Sequence, residues 1–183
     1  MASPSVAAAP PAAKGPWKII LDGKGLKGWT RLGDANWRVE QGAVVADQGM
    51  ISFLVSDADY ADFELRAEVW VSEEANSGIF IRCTDPKTVT AANGYEVNIF
   101  DTRPDQSYAT GAIVNVAKVA NRPRSGGRWN VMEITAKGDR FWVTFNGQRT
   151  VDGARDAAHP SGRLALQYGA GVVKFRKVEV RSL

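Results

Sequence analysis

At 183 residues the chain is sized for one domain with a sizeable core, and 23 Lys plus Arg against 20 Asp plus Glu leave an excess of only +3, too small and scattered to serve a nucleic-acid backbone. A lone cysteine, Cys83, and a lone histidine, His159, exclude an internal disulfide, a CxxC site and a multi-histidine zinc centre, so only an oxygen-ligated ion such as calcium stays open. No stretch approaches the ~20 apolar residues of a membrane span.

In chain order, residues 1–16 are an Ala/Pro-rich, low-complexity segment without the basic start and apolar run of an intact signal peptide. This segment is expected to be disordered and to resemble the start of a mature exported protein, which places the chain in the periplasm or the medium. The folded domain is expected to run from 17 to 183. Within it, Trp37-Arg-Val-Glu40 alternates before a turn at Gln41-Gly42. Residues 63–71 put Phe63, Leu65, Ala67, Val69 and Val71 on one face and Glu64, Arg66 and Glu68 on the other, the period-2 pattern of a half-buried strand. Residues 78–82 and 95–99 follow as strands, and Arg122-Pro-Arg-Ser-Gly-Gly-Arg128 reads as a solvated basic loop.

Residues 141–151 form the clearest hairpin, with Asn146-Gly147 supplying the positive backbone angles of a type I′ turn. His159 lies in a Pro/Ser/Gly loop and reads as a loop histidine. Residues 162–168 and 172–180 make two further strands. In the last, the apolar phase slips from Val173 and Phe175 to Val178 and Val180, which a β-bulge at Arg176-Lys177 reconciles. With no helical period over twelve residues and no internal repeat, the chain reads as all-β, a sandwich or barrel of short strands.

Several phrases in fixed order carry a further signal: Leu21-Asp-Gly-Lys-Gly-Leu-Lys-Gly-Trp29, Asn76-Ser-Gly-Ile-Phe-Ile-Arg82, Gly94-Tyr-Glu-Val-Asn-Ile-Phe-Asp101, Thr110-Gly-Ala-Ile113, Phe145-Asn-Gly147 and Gly162-Arg-Leu-Ala-Leu-Gln167. Together they resemble the 3-keto-disaccharide hydrolase domain family, over about Trp17 to Leu183. The resemblance implies a two-sheet antiparallel jelly-roll sandwich of the concanavalin A-like kind, frequent export by bacteria, a carbohydrate ligand such as a small glycoside, and cleavage of glycosides whose sugar carries a ketone at carbon 3. Thr110-Gly-Ala-Ile-Val114 departs from a commoner Gly-x-Ile-Tyr form.

In such a fold a binding groove lies on the concave face of one sheet, and parity assigns residues to it. Tyr95, Val97 and Ile99 are expected in the core, Glu96 and Asn98 in the groove, with Arg82 joining them if alternation persists. Ordinary glycoside hydrolysis needs two carboxyl groups about 5–9.5 Å apart, yet the alternate positions here read Glu96, Asn98 and Phe100. A 3-keto sugar needs less, because its ketone acidifies the hydrogen on carbon 2: one base, for which Glu96 is the candidate, and donors such as Arg82 and Asn98 for the enolate oxygen. Glu96 reads equally as a solvated strand carboxylate paired with an Arg.

Asp101 is a turn cap or a substrate contact, and Asn76 a turn residue or a hydroxyl ligand. Gln167 falls on groove parity, and Lys118 is a surface lysine or a substrate contact. Among the six tryptophans, Trp29, Trp70, Trp129 and Trp142 invite stacking on pyranose rings, Trp70 and Trp142 most because they sit on the polar parity of their strands; packing in a second core competes for each. No cofactor is called for. A carbohydrate-binding module without chemistry, and a structural domain docking a partner through a sheet edge, are the competing readings of the same fold.

Overall fold

Alternating burial along the strands separates two layers. The computed structural model describes residues 14–119 and 121–183; the first 13 residues of the segment expected to be disordered lie outside the described residues. The strands are β1 (Lys18–Leu21), β2 (Trp29–Leu32), β3 (Arg38–Glu40), β4 (Ala43–Ala46), β5 (Ser52–Tyr60), β6 (Phe63–Val71), β7 (Asn76–Cys83), β8 (Tyr95–Ile99), β9 (Trp129–Lys137), β10 (Arg140–Phe145), β11 (Gln148–Arg155), β12 (Gly162–Ala170) and β13 (Val173–Ser182), with one 3-10 turn at Gln106–Tyr108. Neighbouring strands are antiparallel and form two sheets. One runs β11-β10-β9-β6-β13-β4-β3 with β1 beside β13, and the other runs β2-β5-β12-β7-β8. This is a two-sheet antiparallel jelly-roll sandwich.

The expected strand faces are observed where the backbone is regular. β6 is buried at every odd position and half-buried at every even one. Its inner residues meet Met132, Ile134, Phe141 and Phe145 from the same sheet and Ile79, Val97, Ile99 and Leu166 from the other in one core cluster. Truncating a fully buried ring such as Phe141 to Ala would cost about 3–5 kcal/mol. The β10–β11 hairpin turns at Asn146 (φ 49°) and Gly147 (φ 78°). The pairing of β13 with β6 shifts between Phe175 and Lys177, so that Phe175 and Val178 are both buried despite their odd spacing.

Gly15 N–H donates to Ser182 O at 2.9 Å, and Lys14 pairs with Glu64, so residues 14–16 lie along the end of β13.

Two features set the surroundings of β8. Residues 111–114 pair with its open edge: Gly111 N–H donates to Asn98 O (2.9 Å), Asn98 N–H to Ala112 O (3.0 Å) and Val114 N–H to Glu96 O (3.0 Å). The connection from β8 to β9 then crosses to the other sheet, where Gly127 N–H donates to Val71 O at 2.8 Å. β8 is therefore paired on both edges, and its outer side chains sit beneath the start of a long loop.

Candidate functional site

Cross-strand register assembles the site on the outer face of the five-stranded sheet. One row crosses that sheet as Leu32, Phe53, Gln167, Gly78 and Asn98, and the adjacent outward row as Thr30, Val55, Ala165, Phe80 and Glu96. Directly opposed side chains in such rows lie about 5 Å apart. Glu96, Asn98 and Gln167 are thus brought together around Gly78, and Asn76 stands two residues along β7 from it on the same parity. Gly78 makes the floor. A Cβ there would lie 3.2 Å from Gln167 Oε1 and 3.6 Å from Glu96 Cγ, so a side chain would occupy the space between them. The far half of the face is apolar: Phe53 and Phe80 meet edge to face at 5.4 Å and pack with Val55, Ala165 and Val89.

The polar groups here are under-used by the protein. Asn98 is fully buried; its Nδ2 donates to Tyr108 O at 2.6 Å, while its Oδ1 has no partner. Gln167 is buried and its Oε1 is likewise unpartnered. Two buried amide oxygens without donors each forgo a hydrogen bond, a cost usually recovered from a bound ligand or water. Glu96 is half-buried with no hydrogen bond from the protein among the described residues. Burial beside Phe80 pushes its carboxyl above the ordinary carboxylate value, and the positive charge of Arg103 partly offsets that rise. A carboxylate so placed is a stronger base than one in water, facing groups able to accept from or donate to hydroxyls.

The other candidates lie elsewhere, and Arg82 requires a correction. Its φ of 53° breaks the alternation of β7, turning the side chain away from Glu96 to the end of the sandwich. There it is 1% exposed and donates to Ala61 O, Gly138 O and His159 O, pairs with Asp62 at 3.1 Å, and lies over the Phe141 ring. It ties three loops together and has no reach to a ligand over Gly78. Asp101 is also committed: it accepts from Thr110 Oγ1 (2.6 Å), Ser125 N (2.8 Å), Ser125 Oγ (2.8 Å) and Gly126 N (3.1 Å). It fastens the crossing loop rather than capping its own turn or meeting a sugar. Lys118 is exposed on that loop, whose Val119 N–H bonds Ser107 O, and its charge lies near Asp105.

Trp142 stands on the outer face of the eight-stranded sheet, the opposite side of the sandwich from Glu96, so it forms no part of the same groove. Its parity was legible; its sheet was not. Trp70 and Trp129 share that face, capped by Lys174 (4.7 Å) and Arg176 (4.3 Å). Trp29 is in the core, its Nε1 donating to Ile20 O at 2.6 Å. His159 faces Tyr95, whose hydroxyl accepts from His159 N and donates to Asp156.

Gly78, Phe80, Arg103 and the Tyr108 carbonyl were not singled out from the sequence. A glycine inside a strand run is a recognised sign of close approach, and Gly78 carried it. Arg103 and Tyr108 reach the site through a loop whose path has no local code. Among the described residues no three His, Cys, Asp or Glu side chains converge in a way that could hold a metal ion.

Comparison with known proteins places this fold. A protein of Parabacteroides distasonis assigned as a glycosyl hydrolase is similar in fold, with TM-score 0.81 and 18% identity over 92% of this chain and 94% of that one. A second such protein from the same organism gives TM-score 0.73 and 24% identity over 92% and 100%. The carbohydrate-binding module CBM66 of Bacillus subtilis gives 0.70 and 19% over 91% and 100%. No curated protein matches the chain in sequence. The model of the 3-keto-alpha-glucoside-1,2-lyase-like domain matches residues 16–181, nearly the whole chain, and the chain belongs to that carbohydrate-active jelly-roll family.

Proposed function

We propose that the chain cleaves 3-keto-glycosides by a base-initiated elimination on the outer face of the five-stranded sheet. The carrying observation is the isolation of Glu96: it is a desolvated carboxylate in a site whose next groove position is an amide, Asn98, and whose nearest acid in sequence, Asp101, is bound up in the crossing loop. One carboxylate suits proton abstraction and not the paired-carboxylate displacement. The family description, a 1,2-lyase-like domain, supports the same chemistry.

With a sugar seated over Gly78, Glu96 takes the proton from carbon 2 and the electron pair moves to the oxygen on carbon 3. The second hydrogen of Asn98 Nδ2 is the candidate donor to that enolate oxygen, the role expected of Arg82 and Asn98 together. Collapse of the enolate restores the carbonyl at carbon 3, makes the bond between carbons 1 and 2 double, and breaks the bond from carbon 1 to the aglycone oxygen. The aglycone leaves with the electron pair and takes a proton from solvent. Glu96 exchanges its proton with solvent, and water adding across the new double bond, with a solvent-derived proton passing from Glu96 to carbon 2, makes the net reaction hydrolysis.

The unpartnered oxygens of Asn98 and Gln167 also favour a second reading, a carbohydrate-binding module that accepts from sugar hydroxyls without turnover. A 3-keto-glucoside with a chromogenic leaving group separates the two. Release by the wild type and not by Glu96→Gln supports the elimination; binding without release by either supports the module.

A further inference from the structure

The opposite face of the sandwich carries a second built depression. A cavity of about 240 Å³ opens on the outer face of the eight-stranded sheet, bordered by Trp17, Trp142, Thr135, Thr144, Arg149 and the ion-paired carboxylates Glu64 and Glu133. Register explains its shape. One row reads Arg149, Thr144, Glu133, Arg66 and Glu179, and the next Asp152, Trp142, Thr135, Glu64 and Arg181. The two threonines are short residues set among long ones, so they form the floor, and Trp142 rises beside it as a wall.

The walls differ from the rest of this face. Trp70 and Trp129 are capped by cations, and Trp17 has Arg66 at 5.1 Å and Arg181 at 4.5 Å. Trp142, half-buried, has no cation over its ring among the described residues. Glu64 is held by Arg181 and Lys14, and Glu133 by Arg66 through one carboxylate oxygen alone, which leaves its Oε2 free. Arg149 meets no carboxylate, and the hydroxyls of Thr135 and Thr144 have no protein partner, again among the described residues. The pocket thus offers an indole ring, two hydroxyls, a free guanidinium and a free carboxylate oxygen around a space of monosaccharide scale. A small, mostly polar space that mixes donors and acceptors beside an indole ring suits the several hydroxyls of a pyranose.

We propose that this cavity is a second, non-catalytic glycan site that takes one uncharged pyranose unit, so that a longer chain can be held on the face opposite Glu96. It shares with the proposed function only the carbohydrate class of the ligand. The test reads Trp142 directly, by NMR of the six tryptophan indole N–H signals, the Trp142 signal being assigned by its loss in Trp142→Phe. The probes are maltoheptaose, cellohexaose and laminarihexaose, each titrated to about 10 mM, a range that captures weak single-ring sites.

The expected result is a saturable shift of the Trp142 signal with at least one probe, weakened about tenfold in the Thr135→Val/Thr144→Val double variant, whose β-branched side chains keep the strand intact. The shift persists in Glu96→Gln, and Trp142→Phe leaves turnover of a small chromogenic 3-keto-glucoside unchanged. No shift with any probe, or a shift unaffected by the double valine variant, overturns the proposal. Because the signal comes from the other sheet, failure here leaves the elimination at Glu96 untouched, and failure of that elimination leaves this binding measurable.

Discussion

Replacing Gly78 by Ala asks whether the floor of the site serves the ligand or the sheet. The backbone at Gly78 is not in the left-handed region, so alanine fits the strand without strain. Its methyl would stand 3.1 Å from Val97 O, 3.2 Å from Gln167 Oε1 and 3.6 Å from Glu96 Cγ. Removing a strand glycine gains about 0.5–1 kcal/mol in backbone entropy. Crowding the Val97 carbonyl by a few tenths of an ångström takes back a similar amount. The net change in stability stays within about 1 kcal/mol, which in a chain of this size moves Tm by about 2–4 °C. The effect on turnover is larger, because the methyl lifts a bound sugar and turns the Gln167 amide aside, and a misplacement of about 1 Å costs on the order of 100-fold. The assay is kcat/KM on a chromogenic 3-keto-glucoside beside a thermal melt. A variant that keeps its kcat/KM within roughly threefold of the wild type while melting normally would refute the placement of the sugar over Gly78.

Other consequences concern Glu96 and Asp101. Burial raises the Glu96 pKa in the folded state, so the folded chain holds that proton to higher pH than the unfolded chain does. Wild type therefore loses stability as pH rises from the ordinary carboxyl value of 4.5 through the raised one, and Glu96→Gln does not. The variant should be the more stable at pH 7 and equal to wild type below the carboxyl range, as measured by urea unfolding at both; no gain at pH 7 would show that Glu96 is not desolvated. In the same window kcat/KM should climb with an apparent pKa above 4.5, because the base must be ionised. Asp101→Ala strands the N–H groups of Ser125 and Gly126 and the Thr110 hydroxyl, and should cost about 3 kcal/mol in urea unfolding, with Asp101→Asn recovering part; a loss under about 1 kcal/mol would contradict the hub.

How much was legible follows the regularity of the backbone. β6 keeps its alternation for nine residues because nothing interrupts its pairing, and its faces read directly from the sequence. The same logic put Tyr95, Val97 and Ile99 in the core and Glu96 and Asn98 outside it, and the Asn146-Gly147 turn and the slip near Arg176 were visible in local chemistry. Arg82 failed because one residue at φ 53° reverses its side chain, and arginine gives no warning of a left-handed backbone. Asp101 failed because its partners at 125 and 126 return through a loop, a distance of more than twenty residues that no turn signature covers. Trp142 is a different case: its outward parity is as expected, but parity says only that a side chain points outward, and strand order decides from which sheet. Gln167 and Gly78 become neighbours only through the pairing of β12 with β7, which is likewise non-local.

The central claim, one desolvated carboxylate acting on carbon 2 of a 3-keto sugar, is tested most directly by following aglycone release together with exchange of the carbon 2 hydrogen. A substrate carrying deuterium at carbon 2 should release its aglycone more slowly from the wild-type protein, lose that label to solvent, and give neither release nor exchange with Glu96→Gln. Release with the deuterium retained and no isotope effect, or full turnover by Glu96→Gln, would contradict the account.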